Sequence, residues 1–157
     1  MSDMQAVQRH VRRALGAHGM RLRLQQELPE YNWSGRSSTL CICADEPVED
    51  LLHEAAHALV APPLLRKFPE WGLGMSNLAR RCPDVHVRNP DMVEHRASLL
   101  GIIWLKTFSR KLALEVWEEH GWDERNVSPR WVRIHLRWLL RRKLIEWRGG
   151  KLRVKRY

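Results

Sequence analysis

Two histidines four residues apart, in His53-Glu54-Ala55-Ala56-His57, constrain this chain more than any other feature. They lie inside an apolar run, with Leu51 and Leu52 before them and Ala58, Leu59 and Val60 after, that Pro62-Pro63 brings to an end. On an α-helix, side chains at i and i+4 project from one face, so both imidazoles can reach a single metal ion. Glu54 follows the first ligand, where its carboxylate can take a proton from an attacking water. Ala55 and Ala56 are small and leave space beside an ion, while the leucines supply the buried face that holds such a helix rigid. With 8 His in 157 residues, chance produces the five-residue pattern in about 3% of such chains, so it carries weight as a motif.

Two histidines leave a metal site one protein ligand short. Glu94 is the leading candidate: it falls early in the next long apolar segment, and Glu94-x-x-Ala97 places a small residue one turn on. His95, His86 and Asp91 are the alternatives. Hydrolysis by such a site also needs a donor for the developing oxyanion, for which His86, His95 and Tyr31 are the candidates.

Around the motif the chain reads as mainly helical with short strands. Met4–Ala17 has Val7, Val11, Ala14 and Leu15 at helical spacing. Met20–Leu24 alternates apolar and charged residues as a half-buried strand does, Pro29–Ser38 is turn-like, and Thr39–Cys43 reads as a second strand. Asp45 is expected to cap the motif helix, with Pro47 in its first turn. The Pro- and Gly-rich stretch 62–90 is expected to be a long loop forming one wall of a substrate cleft. Helices are expected over 91–108 and 110–120. Ser128 should cap a helix running from Pro129 to Lys143, and the segments around Arg148-Gly149-Gly150-Lys151 should form a hairpin. This last order, helix, helix, hairpin, is that of a winged helix-turn-helix.

Charge divides the chain the same way. Eleven of its 27 Lys and Arg fall between Ser128 and Tyr157, against one acid, Glu146; the 127 residues before them carry 16 basic and 17 acidic groups. Arg130, Arg133, Arg137 and Arg141 form a stripe along one helix face, and Arg148 and Lys151 flank the hairpin tip, an arrangement that could grip phosphates. An acidic protein surface is the other partner such a region fits. The expectation is a metallopeptidase domain over 1–108, for which the resemblance given below implies a zincin-like fold, and a basic winged helix-turn-helix-like region over 109–157, an α+β fold that is mainly α.

Other features favour core packing. Trp104, Trp117, Trp131 and Trp138 lie among Leu and Ile on helices, leaving Trp33 and Trp71, in loops, as candidates for exposed contacts. Cys41-x-Cys43 is too closely spaced for a C-x-x-C knuckle, and Cys82-x-x-x-His86 is half a metal site at most, so buried thiols are the plainer reading. Three cysteines form no disulfide framework and suit a reducing compartment, and no apolar run approaches membrane-spanning length, so a cytoplasmic protein without membrane association is expected.

A helix, two short strands, the helix Leu52-His53-Glu54-Ala55-Ala56-His57-Ala58-Leu59 and then Glu94-x-x-Ala97 together resemble the ImmA/IrrE-like metallopeptidases over about residues 1 to 105. The resemblance implies a minimal zincin fold, Zn2+ as cofactor, and a bacterial or phage enzyme whose substrate is a DNA-binding repressor. In some members a helix-turn-helix region follows the catalytic part. Here the third-ligand candidate comes 37 residues after His57, a longer gap than the family pattern, and the acidic-Asn run around that ligand is missing. Trp33-Ser34-Gly35-Arg36 and Asp50-Leu51-Leu52-His53-Glu54 also look like SprT-type proteases, which act on DNA-bound proteins. That family's third histidine shortly after the motif has no counterpart between His57 and His86. The rival from another class is a DNA-binding transcriptional regulator whose metal serves folding or sensing.

Overall fold

The computed structural model describes residues 3–27, 33–61, 63, 66, 90–119 and 128–155. Among these are five helices and two small sheets, an α+β arrangement that is mainly helical. The chain opens with α1 (Asp3–Gly16), whose Val7, Val11, Ala14 and Leu15 are all buried, as their spacing requires. Strand β1 (Arg21–Gln25) pairs in parallel with β3 (Thr39–Cys43), Leu22 opposite Leu40 and Leu24 opposite Ile42. β1 keeps the expected alternation, with Arg21 and Arg23 exposed. β3 is the central strand and is buried nearly throughout.

A third strand, β2 (Trp33–Ser34), pairs antiparallel with β3 inside the segment that reads as a turn. This corrects the expectation that Trp33 is an exposed contact residue. It is 1% exposed, and its indole N–H donates to the Arg66 carbonyl at 2.8 Å. The Arg66 guanidinium in turn donates to the Leu59 carbonyl at 3.2 Å, a cation placed at the C-terminal end of the motif helix. A large aromatic beside a central strand gains more by filling the core than by stacking in solvent.

The motif helix, α2 (Val48–Val60), buries eight of its residues, from Leu51 and Leu52 to Val60. Its start also departs from expectation. Pro47 occupies the N-cap position, with no side-chain cap, and Asp45 instead accepts the Cys43 thiol at 2.7 Å. Glu49 and Asp50 in the first turn complement the exposed N–H groups electrostatically. α2 packs most extensively against α3 (Pro90–Leu105), the long apolar helix. Leu52 is fully buried between them, and truncation to Ala would cost about 2–5 kcal/mol.

α4 (Arg110–Glu119) and α5 (Pro129–Arg141) follow, with Ser128 accepting the Trp131 N–H at 3.3 Å as its expected cap. The antiparallel hairpin of β4 (Ile145–Arg148) and β5 (Lys151–Val154) closes the fold. Its two-residue turn places Gly149 at φ 57° and Gly150 at φ 71°, the left-handed pair that a tight hairpin demands. Leu139, Leu144, Ile145 and Val154 join the same buried cluster as α1, α2 and α3, so one continuous core runs from Val7 to Val154. None of the described helices is long and apolar enough to cross a membrane.

Candidate metal centre

The spacing of His53 and His57 works as the helix period requires. Their rings meet edge to face, centroids 4.6 Å apart, with the two Nε2 atoms 3.1 Å from each other. α3 then delivers Glu94 across the helix pair. Its Oε1 lies 3.1 Å from His53 Nε2 and its Oε2 lies 3.0 Å from His57 Nε2. The 37-residue gap is thus no obstacle, because α3 folds back along α2. His53, His57 and Glu94 form a group that could hold a metal ion, with all ligand atoms within 4.8 Å of one another.

Two arrangements fit these distances. A neutral imidazole Nε2 carries either one proton or one lone pair. With protons on both Nε2 atoms, His53 donates to Oε1 and His57 to Oε2 of the same carboxylate. With lone pairs there, both rings and the carboxylate can be ligands of one cation. A tetrahedral ion with bonds of roughly 2.0–2.1 Å spaces its ligands about 3.3–3.4 Å apart, and the two Nε2 atoms stand 3.1 Å from each other, each with a different Glu94 oxygen at 3.0 or 3.1 Å. Two imidazoles and a carboxylate are also a donor set of the catalytic zinc type, in which a fourth position stays open. Of the three residues, Glu94 is 53% exposed and His57 only 5%.

Hydrogen bonds from His53 and then His57 hold the Glu94 carboxyl well below the usual carboxylate range. Burial pushes His53 down, but its hydrogen bond to Glu94 and the negative charges of Glu94, Glu54 and Asp50 together leave it above its ordinary value. Glu54, next in the chain to His53, is half-buried, and its negative charge is among those that raise His53. Adjoining the centre is a cleft of about 440 Å3. His53 and Ser98 line it together with the largely apolar Gly101, Ile102, Leu105 and Val116 and the acids Glu49, Asp50 and Glu119, whereas Glu54, His57 and Glu94 do not.

Two residues that sequence reasoning missed shape this centre. Ser98, buried one turn beyond Glu94, donates its hydroxyl to Oε1 at 3.3 Å and so restrains the carboxylate. Gly101 lies at the α2–α3 crossing, where a Cβ would stand 3.3 Å from His53 Cα and 3.6 Å from the Leu52 carbonyl oxygen. The absence of a side chain there lets α3 approach the backbone of the first ligand. The repeat Glu94, Ser98, Gly101 at spacings of four and three is the signal that could have found both.

Of the other ligand and oxyanion candidates, His95 does not join the group. Its ring packs against Trp131 and His135, centroids 6.2 and 5.8 Å away, at the junction with α5. One residue on from Glu94 turns it about 100° round the helix, which is the physical reason. His86, Tyr31 and Cys82, Trp71 and most of the 62–90 segment lie outside the described residues, as does the side chain of Asp91.

Arg130, Arg133, Arg137 and Arg141 are all exposed along α5, and none pairs with a described acid. Arg148 and Lys151 are exposed at the hairpin, where the Arg148 guanidinium meets Glu146 at 3.4 Å. Opposite the stripe, α5 buries His135 and Leu139 and half-buries Val132, Leu136 and Leu140. Trp104 is fully buried, and Trp138 lies beneath the Arg96 guanidinium, 4.1 Å from its ring centroid. Comparison with protein-family models, with curated proteins and with solved structures finds no match.

Proposed function

We propose that the protein is a zinc-dependent endopeptidase of minimal zincin type, acting on a regulatory or DNA-associated protein. The observation that carries this reading is the convergence of His53, His57 and Glu94, with Glu54 next in sequence to the first histidine and a cleft lined in part by His53 and Ser98. His53 and His57 through Nε2, and Glu94 through its carboxylate, would hold the zinc. When bound, zinc supplies Lewis acidity, polarising a peptide carbonyl and making water a better nucleophile. Glu54 accepts the proton of the attacking water and passes it to the leaving amine. Ser98 keeps Glu94 oriented, and the apolar lining of the cleft excludes water from one side of the substrate. The carboxylates of Glu49, Asp50 and Glu119 favour a positively charged stretch of the substrate near the scissile bond. The winged-helix order of α4, α5 and the hairpin, with its excess of positive charge, supports a region that brings the enzyme to DNA or to a DNA-bound protein.

The test is to treat a soluble lysate with zinc-loaded protein and with Glu54→Gln, then to map new protein N-termini. Wild-type protein should create termini absent from the Glu54→Gln sample, while both hold equal zinc. Equal zinc with identical termini in both samples would refute the peptidase and leave the regulator with a folding or sensing ion.

A further inference from the structure

The sequence places positive charge along α5, but the tertiary fold gathers a second set elsewhere. Two cavities of about 370 and 340 Å3 adjoin, sharing Thr107 and Arg153 as common lining. Into them open Arg13 from α1, Lys106 and Arg110 from the α3–α4 corner, and Arg148, Lys151 and Arg153 from the hairpin. All six are exposed. The acid among the lining residues is Glu146, which Arg148 already engages at 3.4 Å, and no described carboxylate pairs with the other five. None of the four stripe arginines of α5 lines either cavity.

We infer that this continuous groove binds the phosphodiester backbone of a nucleic acid, and that it, rather than the α5 stripe, is the main nucleic-acid contact. Three elements distant in sequence converge their cations on one concave strip, which suits a flexible polyanion that must be held at successive charges. Arginine supplies four of the six, and its fork is the geometry that pairs with phosphate oxygens. The one aromatic ring in the lining, His10, is turned edge-on to Trp104 and Phe108, centroids 5.8 and 5.6 Å away. The groove therefore grips charge and not bases, and its binding is indifferent to sequence. Ile103, which lines the second cavity, lies nine residues after Glu94 on α3. At 3.6 residues per turn that is about 2.5 turns, so the groove lies on the reverse side of α3 from the metal ligands. A nucleic acid held there leaves the cleft open. The inference does not depend on the peptidase reading, since it is measured with inactive protein.

Full-length, zinc-loaded Glu54→Gln protein is titrated into fluorescein-labelled 20-nucleotide single-stranded DNA, duplex DNA and RNA, and anisotropy is followed from 50 to 300 mM salt. In the same background, Arg13→Ala/Lys106→Ala/Arg153→Ala is compared with Arg130→Ala/Arg133→Ala/Arg137→Ala. The groove variant should lose at least about 10-fold in affinity at 100 mM salt, and the slope of log K against log salt should fall by about 2–3. The stripe variant should stay within about threefold of its parent. Arg153→Lys, with the charge kept, should retain binding, and unchanged zinc content and melting temperature show that the variants are folded. The three probes distinguish a duplex from a single strand as the source of the phosphates. Absence of binding by the parent at 50 mM salt, loss confined to the stripe variant, or equal binding of a labelled polyglutamate peptide through the same residues would each overturn the inference.

Discussion

Replacing Gly101 by alanine separates the geometry of the metal centre from the stability of the fold. The new Cβ would stand 3.3 Å from His53 Cα and 3.5 Å from His53 N, both rigid backbone atoms. Carbon pairs settle at roughly 3.5–4.0 Å, so α2 and α3 must part by a few tenths of an ångström at the crossing. Gly101 is seven residues, about two turns, from Glu94 on the same face of α3. The displacement therefore acts on the 3.0 and 3.1 Å separations between Glu94 and the two histidines. Metal sites tolerate errors of about 0.2 Å, and comparable disturbances around a ligand cost about 10–100-fold in affinity. Without metal the substitution also gains about 0.5–1 kcal/mol of helix propensity, which offsets the contact strain. The expected result is a metal-free melting temperature within a few degrees of wild type, with zinc binding weakened about 10-fold in a chelator competition. Gly101→Val should weaken zinc further. Both variants folded, with zinc affinity within twofold of wild type, would show that the crossing does not set the ligand geometry.

Other outcomes follow from the same structure. Glu94→Ala and His53→Ala should each abolish stoichiometric zinc by metal analysis, whereas His95→Ala should retain it, since His95 packs against α5. Ser98→Ala, which removes the 3.3 Å hydrogen bond to Glu94, should weaken zinc by several-fold in chelator competition without loss of fold. His135 is fully buried, and burial first, then the charges of Arg96 and His95, lower it from 6.5 to about 4. On acidification the unfolded chain takes up the proton first, so stability is complete above about pH 6.5 and falls as pH drops towards 4. The loss is at most about 3 kcal/mol. Denaturant titrations at pH 7 and pH 4.5 should show that loss in wild type and a smaller one in His135→Leu; equal losses would refute this origin.

Much of the centre was legible in the primary structure because its information is local. A helical period places His53 and His57 on one face whatever surrounds them, and the apolar spacing of α1, the Ser128 cap and the Gly149-Gly150 turn are equally local choices. Glu94 was legible as a candidate on chemistry alone, one among several, because nothing local says which distant acid meets the histidines. Trp33 was misjudged for the same reason: a two-residue strand has no period, and only its pairing with β3 shows it to be core. The Asp45 cap failed because a neighbouring thiol competed for the carboxylate.

What the chain dictates by itself is therefore a helix with two imidazoles on one face, a glutamate next to the first, and a surplus of positive charge near the end. The packing of α3 on α2 decided the rest. Gly101 permits the close approach, Ser98 holds the carboxylate, and His95 is turned away to α5 because adjacent helical residues cannot share a face. The convergence of Arg13, Lys106 and Arg153 on one groove was likewise invisible in charge counts, since charges far apart in the chain act together only when folding sets the distances between them.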